Sequence, residues 1–192
     1  MICVVMLISD WAARAEGSPA ADALARHGVR EIVFVERGFG RDGHWYANFA
    51  YFYDGPQNIT YAKGGRLAKL DVKSGKVTTI LEDKTGSVRD PKVHYDAKKI
   101  LFSYRKGGTA QFHLFEINVD GSGLKQLTDG IYDDLEATYL PDGGIAFVSG
   151  RAKRWVNCWL VQVAILYRCD ADGKNIRQLS ANIEQDNTPW VL

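Results

Sequence analysis

The chain has 192 residues, 46% of them hydrophobic, with 24 basic against 23 acidic side chains for a net charge of +1. That is enough apolar material for a sizeable core. The balanced charge lacks the basic footprint of a nucleic-acid or anionic-membrane binder. No stretch approaches the roughly 18 apolar residues of a membrane-spanning helix, so neither nucleic acid nor a membrane span is expected.

At the N-terminus, Ile2 to Ile8 is an apolar run and Ala13-Arg14-Ala15 has the small-x-small form of a signal-peptidase site. Residues 1–15 therefore read as a signal peptide and the protein as exported, to the periplasm or beyond. No basic residue precedes the run; the competing readings are a start codon misplaced inside a longer signal, or a buried strand. Cys3 would leave with the signal. Residues 16–30 follow as a linker or a short helix, with Ser18-Pro19 at its start and Gly28 past its end. A first strand is expected from Glu31 to Glu36, where Ile32 and Phe34 oppose Val33 and Val35. The aromatic run from His44 to Tyr53 reads either as a stacking surface for a sugar or partner, or as apolar material buried beside the first repeat.

From Leu67 onward the chain repeats itself. Leu114 to Thr128 returns as Leu166 to Ser180 at a constant offset of 52 residues (166 − 114). Asp120-Gly121 thus matches Asp172-Gly173, and Lys125-Gln126-Leu127-Thr128 matches Arg177-Gln178-Leu179-Ser180. A degenerate copy, Leu67 to Leu81, lies 47 residues upstream (114 − 67). Each copy reads strand, tight turn, strand, the Asp-Gly pair supplying the turn; the strands are Leu114 to Val119, then Leu124 to Thr128 or Ile176 to Ser180. A second unit lies between the copies. Asp96 to Phe102 matches Pro141 to Phe147 at an offset of 45 (145 − 100). It reads as strand (Lys92 to Tyr95; Ala137 to Leu140), turn, strand (Ile100 to Tyr104; Ile145 to Ser149).

Self-similarity at this period signals a repeat architecture. Two hairpins per period of about 45–52 residues make a four-stranded antiparallel unit, the size of one β-propeller blade. The fold class is therefore all-β, a β-propeller. Three copies plus the first strand amount to about three and a half blades, and a closed ring takes roughly four to eight. The chain stops at Pro189-Trp190-Val191-Leu192, where the next turn is due, so residues 31–192 read as a fragment, a partial propeller truncated at its C-terminus.

These phrases carry a resemblance. Pro141-Asp142-Gly143-Gly144-Ile145-Ala146-Phe147, followed by the phrase Leu166 to Ser180, is similar to the repeat of the TolB-like family, the periplasmic propellers of the Tol system. Four runs resemble more closely the N-terminal propeller of hydrazine synthase alpha subunit-like proteins. They are Asp42-Gly43-His44-Trp45-Tyr46-Ala47-Asn48-Phe49, Val88-Arg89-Asp90-Pro91, Phe102-Ser103-Tyr104-Arg105-Lys106-Gly107-Gly108 and Asp186-Asn187-Thr188-Pro189-Trp190. The resemblance covers roughly residues 30 to 192. It implies a scaffold arm of a larger protein, an oxidoreductase whose heme chemistry lies beyond the propeller. Covalent c-type heme needs C-x-x-C-H, which Cys3, Cys158 and Cys169 do not form, so no cofactor is expected in this segment.

The acidic loops are the main candidate site. Arg89-Asp90-Pro91, Tyr132-Asp133-Asp134-Leu135-Glu136 and Glu184-Gln185-Asp186-Asn187 precede the innermost strand of successive blades. In a propeller such loops converge on one end of the central channel. Arg89, Asp90, Asp133, Asp134, Asp186 and Asn187 are the candidate ligand-binding residues, with Arg105 nearby. Asp134, Glu136 and His94 are the candidate catalytic ones, crowding of carboxylates being a means of raising a pKa. The competing reading is that these side chains cap the turns entering each strand. His27, His44, His94 and His113 show no ligand spacing; His94, on an inner strand, is first choice as a ligand, against a packed and hydrogen-bonded histidine. No metal site is expected: from Asn118 and Asp170 an EF-hand would need glutamate at Asp129 and Ala181. Cys158 and Cys169 stand about 36 Å apart on continuous strand, so they pair only if the intervening chain turns back. A buried free thiol, a disulfide and a metal or partner thiol are the readings. The run Arg151-Ala152-Lys153-Arg154 reads as a solvated hairpin tip.

Three functions follow. The first is an exported binding or scaffold propeller, non-catalytic by itself, joined to further domains of the same polypeptide or to a protein partner. The second is a propeller enzyme, a lyase or hydrolase, with an acidic site at the channel mouth. The third is a Tol-like partner-binding protein of the cell envelope.

Overall fold

In a computed structural model the described residues are 18–38, 62–158 and 161–191. The aromatic run His44 to Tyr53, Cys3 and the signal-like segment 1–15 lie outside them. A short helix comes first, α1 (Pro19–Arg26). Ser18 caps it, its hydroxyl accepting from the Ala21 N–H at 3.1 Å, and proline opens the first turn, as the missing proline N–H allows.

Eleven strands follow among the described residues. β1 (Glu31–Arg37), β2 (Gly65–Asp71) and β3 (Val77–Asp83) form an antiparallel three-stranded sheet. β4 (Ser87–Val93), β5 (Lys99–Arg105), β6 (His113–Asn118) and β7 (Lys125–Gln126) form a four-stranded one, in chain order. β8 (Asp134–Tyr139), β9 (Ile145–Ser149), β10 (Ile165–Cys169) and β11 (Arg177–Gln178) repeat that order. These are blades 1, 2 and 3. Each is a meander of antiparallel strands; blades 2 and 3 are the four-stranded unit expected from the period, and blade 1 shows three strands among the described residues.

Burial identifies inside and outside. β7 and β11 are two exposed residues each, whereas β9 is buried at every position and β5 at all but its first. A strand covered on both faces reads as a continuous apolar run, and Ile145-Ala146-Phe147-Val148 is one. Leu67, Val88, Phe102 and Tyr104 pack between blades 1 and 2. Leu101, Leu114, Phe147 and Ile165 belong to the core that joins blades 2 and 3.

The second period is longer, although most of it is two residues shorter, because its β9–β10 connection (Ile145 to Leu166, 21 residues) exceeds the β5–β6 counterpart (Ile100 to Leu114, 14 residues) by seven. A 3-10 turn, Gly150–Ala152, and an isolated bridge from Trp155 to Gln162 bring the chain back on itself there. Strand boundaries on the inner side shift from the expected ones. β4 begins at Ser87 rather than Lys92, and β8 at Asp134 rather than Ala137. The acidic residues Asp90, Asp134 and Glu136 therefore lie within strands, not in loops before them.

Candidate functional site: the acidic inner strands

A bulge sets each inner strand. The ladder between β4 and β5 jumps from Arg89 to Lys92, and that between β8 and β9 from Leu135 to Thr138. An extra residue in one strand of a pair must leave the extended conformation. Asp90 and Glu136 do so at φ of 56° and 53°, in the left-handed region, and Thr188 at φ 38° holds the matching place 52 residues (188 − 136) further on.

The three left-handed positions are tied in series. Asp90 Oδ2 accepts from the Glu136 backbone N–H at 3.3 Å. Glu136 Oε2 accepts from the Thr188 N–H at 2.5 Å and its hydroxyl at 2.9 Å. Arg89, only 3% exposed, donates from Nε to Asp90 at 2.5 Å and from Nη2 to Glu136 at 3.3 Å. The carboxylates of Asp90 and Glu136 thus each hold the backbone of the matching position one period on.

A second ladder of contacts runs just before the bulges. Asp133 Oδ1 accepts from the Phe112 N–H at 2.7 Å, and the Asp134 N–H donates to the Phe112 carbonyl at 2.9 Å. One period later Gln185 Oε1 accepts from the Ala164 N–H at 2.5 Å, and the Asp186 N–H donates to the Ala164 carbonyl at 2.9 Å. Buried Asp134 is gripped by Arg151, Nε to Oδ1 at 3.0 Å and Nη2 to Oδ2 at 2.7 Å, with His113 Nδ1 3.5 Å from Oδ2. Asp186 accepts from the Leu166 N–H at 3.0 Å, from the Ser180 hydroxyl and from the Asn182 amide.

The structure therefore brings Arg89, Asp90 and Glu136 into one cluster. Asp134 forms a separate pair with Arg151, Asp186 is held by its own hairpin, and Asn187 is exposed. His94 lies past the end of β4, in the β4–β5 turn. Its Nδ1 is 2.8 Å from Asp96 Oδ1 and its ring packs edge-on to Tyr139 at 4.7 Å. The basic run is a solvated tip only in part: Lys153 and Arg154 are exposed. Arg151 is half-buried against Asp134 and donates to the Asp129 carbonyl at 2.6 Å, while Arg154 donates to the carbonyls of Ala181 and Asn182.

Sequence reasoning passed over Asp83, a carboxylate heavily bonded by its neighbours. It accepts from the N–H groups of Thr85 (2.9 Å), Gly86 (2.8 Å) and Gly107 (2.7 Å) and from the Tyr104 hydroxyl (2.7 Å). Burial pushes its pKa up, but the Tyr104 hydroxyl and the backbone donors outweigh that and hold the carboxyl well below its usual range. The available signal was Asp83-x-Thr85-Gly86, the spacing of a side chain that closes its own turn.

Cys158 is exposed and Cys169 buried, both as free thiols, and burial foremost pushes Cys169 up to about 12. Neither the spacing nor the burial of this pair fits thioether attachment of a heme. Asp120 and Asp172 close hairpin turns, each accepting from the N–H two residues on. Among the described residues no three His, Cys, Asp or Glu side chains gather as metal ligands would.

No protein-family model matches the chain. Among curated proteins, hydrazine synthase subunit alpha of Kuenenia stuttgartiensis is 30% identical over 103 residues, which are 53% of this chain and 11% of that one. The chain is similar to hydrazine synthase subunit alpha. The solved structure of Kuenenia stuttgartiensis hydrazine synthase superimposes with a TM-score of 0.65 at 18% identity, over 85% of this chain and 26% of that chain. Putative TolB from Agrobacterium tumefaciens gives a TM-score of 0.48 at 21% identity, over 65% of this chain and 46% of its own. The propeller fold rests on the first of these structures. This hydrazine-synthase-alpha-like segment spans about a tenth of the curated relative and about a quarter of the solved chain. No helix among the described residues is long and apolar enough to cross a membrane.

Proposed function

We propose that this hydrazine-synthase-alpha-like propeller segment is a binding and scaffold module of an exported protein, non-catalytic by itself. It holds further domains of its own polypeptide or a protein partner. The parent protein is then an oxidoreductase of the hydrazine synthase kind, with its reaction centre outside this segment. One observation supports the reading above the rest: the nominated carboxylates are engaged in joining strands. Asp90 holds Glu136, Glu136 holds Thr188, Asp133 holds Phe112, and Asp186 holds Leu166. Both oxygens of Asp134 face the Arg151 fork. A general acid or nucleophile needs an oxygen turned toward substrate, and here the oxygens are turned toward backbone N–H groups and the guanidinium groups of Arg89 and Arg151.

A second reading, a propeller enzyme working at the inner edge, draws on the left-handed backbone of Asp90 and Glu136. Strain of that kind gathers at functional sites. Thermal unfolding of Asp134→Asn and Glu136→Gln separates the two. Loss of a buried acceptor destabilises by about 1–3 kcal/mol, which lowers the midpoint of a chain this size by about 2–12 °C. The scaffold reading expects that fall for both variants. Midpoints equal to or above the parent's would support the enzyme reading, because catalytic groups are commonly kept at the expense of stability.

A further inference from the structure

The interface of blades 2 and 3 contains two buried polar groups with no hydrogen-bond partner, Arg105 Nε and Ser103 Oγ. Arg105 is 2% exposed and Ser103 is fully buried. They lie two residues apart on β5, so they point to the same face. That face is fixed by their neighbours. Phe102 and Tyr104, on the opposite side, belong to the core between blades 1 and 2. Ser103 pairs in register with Arg89 and Leu114, and Leu114 belongs to the core shared with blade 3. The Arg105 guanidinium carbon stands 5.9 Å from the centre of the Phe112 ring, which itself packs with Leu135 and Val148 of blade 3.

Arg105 carries a full positive charge into this interface. Its described hydrogen bond is from Nη2 to the Ala62 carbonyl at 3.1 Å, and no ion pair joins it to a carboxylate among the described residues. The buried and half-buried inner carboxylates are engaged with other groups: Asp90 and Glu136 with Arg89, Asp134 with Arg151, and Asp133 with the Phe112 N–H. A buried charge without a counter-charge is strongly unfavourable. A water molecule would complete the hydrogen bonds of Nε and Oγ but would not answer the charge. An anion does both, and one negative charge is enough.

We propose that Arg105 and Ser103 bind a small monovalent oxyanion of carboxylate geometry between blades 2 and 3, alongside the Phe112 ring. The planar guanidinium edge matches two oxygens in a plane, and the Ser103 hydroxyl donates a third hydrogen bond. The site is independent of the scaffold reading, since it uses none of the inner-edge carboxylates.

The test is thermal unfolding of the 192-residue chain in sodium formate against sodium chloride at equal ionic strength. A ligand that binds only the folded state stabilises it logarithmically. Formate at ten times its dissociation constant is expected to raise the midpoint by about 3–6 °C over chloride. In Arg105→Gln that rise disappears. In Ser103→Ala the formate concentration needed for the same rise increases at least threefold, a readout that stands even if Arg105→Gln does not fold. No difference between formate and chloride in the parent chain overturns the site. So does an undiminished rise in Arg105→Gln, or an unchanged formate dependence in Ser103→Ala.

Discussion

Asp83 shows how much one side chain can hold together. It ends β3 of blade 1, yet its donors include Tyr104 and Gly107 of blade 2. Five donors to one carboxylate, the Thr85 hydroxyl being the fifth, stabilise its charged form, so its folded pKa lies below the unfolded value of about 3.9. The sign of the pH effect follows. A depressed carboxylate contributes stability that is fully present above the unfolded pKa and is lost as pH falls through the folded one. Asp83→Asn keeps the shape and removes the charge. It is expected to destabilise the chain by about 1–3 kcal/mol at pH 7. The gap between variant and parent should then narrow steadily below pH 4. Urea unfolding of both proteins at pH 7, 4 and 3 measures it, and a gap independent of pH would show that the charge of Asp83 is not what matters.

At the scale of the element, the turn between β4 and β5 is both a prediction and a lesson. Ala97 sits there at φ 58°, and its counterpart in blade 3, Gly143, at φ 85°. The left-handed region is unfavourable by roughly 1–2 kcal/mol for a residue with a Cβ, so Ala97→Gly should raise stability by up to about 1 kcal/mol despite the freer unfolded chain. The same turn explains what the sequence could not show. Asp96 and Asp142 accept equivalent N–H bonds, from Lys98 and Gly144, 46 residues apart (142 − 96), whereas Ile100 and Ile145 stand 45 apart. Blade 2 therefore carries one extra turn residue. A single offset of 45 conceals it and draws His94 into the inner strand. The bulges hid the inner strands in the same way. Alternation is what a strand shows in sequence, and a bulge at Arg89-Asp90-Pro91 or Leu135-Glu136 interrupts it, so only the regular halves of β4 and β8 were legible. The third strand of blade 2 was read to within one residue, Leu114 to Val119 against His113–Asn118, whereas the outermost strands shrink from the five residues expected to Lys125–Gln126 and Arg177–Gln178. Of the candidate site, the residue types were legible but their partners were not, because Arg151 and Thr188 reach Asp134 and Glu136 across 17 and 52 positions.

For the whole molecule the question is what seats one blade on the next, and the Asp-Gly turns answer it. A Cβ placed on Gly121 would come within 3.1 Å of the Ile80 carbonyl of blade 1, and one on Gly173 would overlap the Leu127 carbonyl of blade 2. The outer turn of each blade therefore nests on the outermost segment of the blade before it, and Leu127 is 9% exposed under blade 3 while its counterpart Leu179 is 49% exposed. Gly143 separates this contact from the turn's own demand, since it has the same φ of 85° as Gly173 with nothing within 4 Å of its Cβ position. Gly143→Ala should cost only the left-handed strain, about 1–2 kcal/mol. Gly173→Ala adds an overlap with backbone that cannot rotate away, a further 1–3 kcal/mol or so by analogy with overpacked cores. Blade 3 must then lift from blade 2, and the buried thiol of Cys169, in the core joining the two blades, should become reactive toward a thiol reagent under native conditions in Gly173→Ala but not in Gly143→Ala. Equal destabilisation by the two substitutions, with Cys169 protected in both, would mean that the blades are held by their apolar faces alone and that the turn merely rests beside its neighbour.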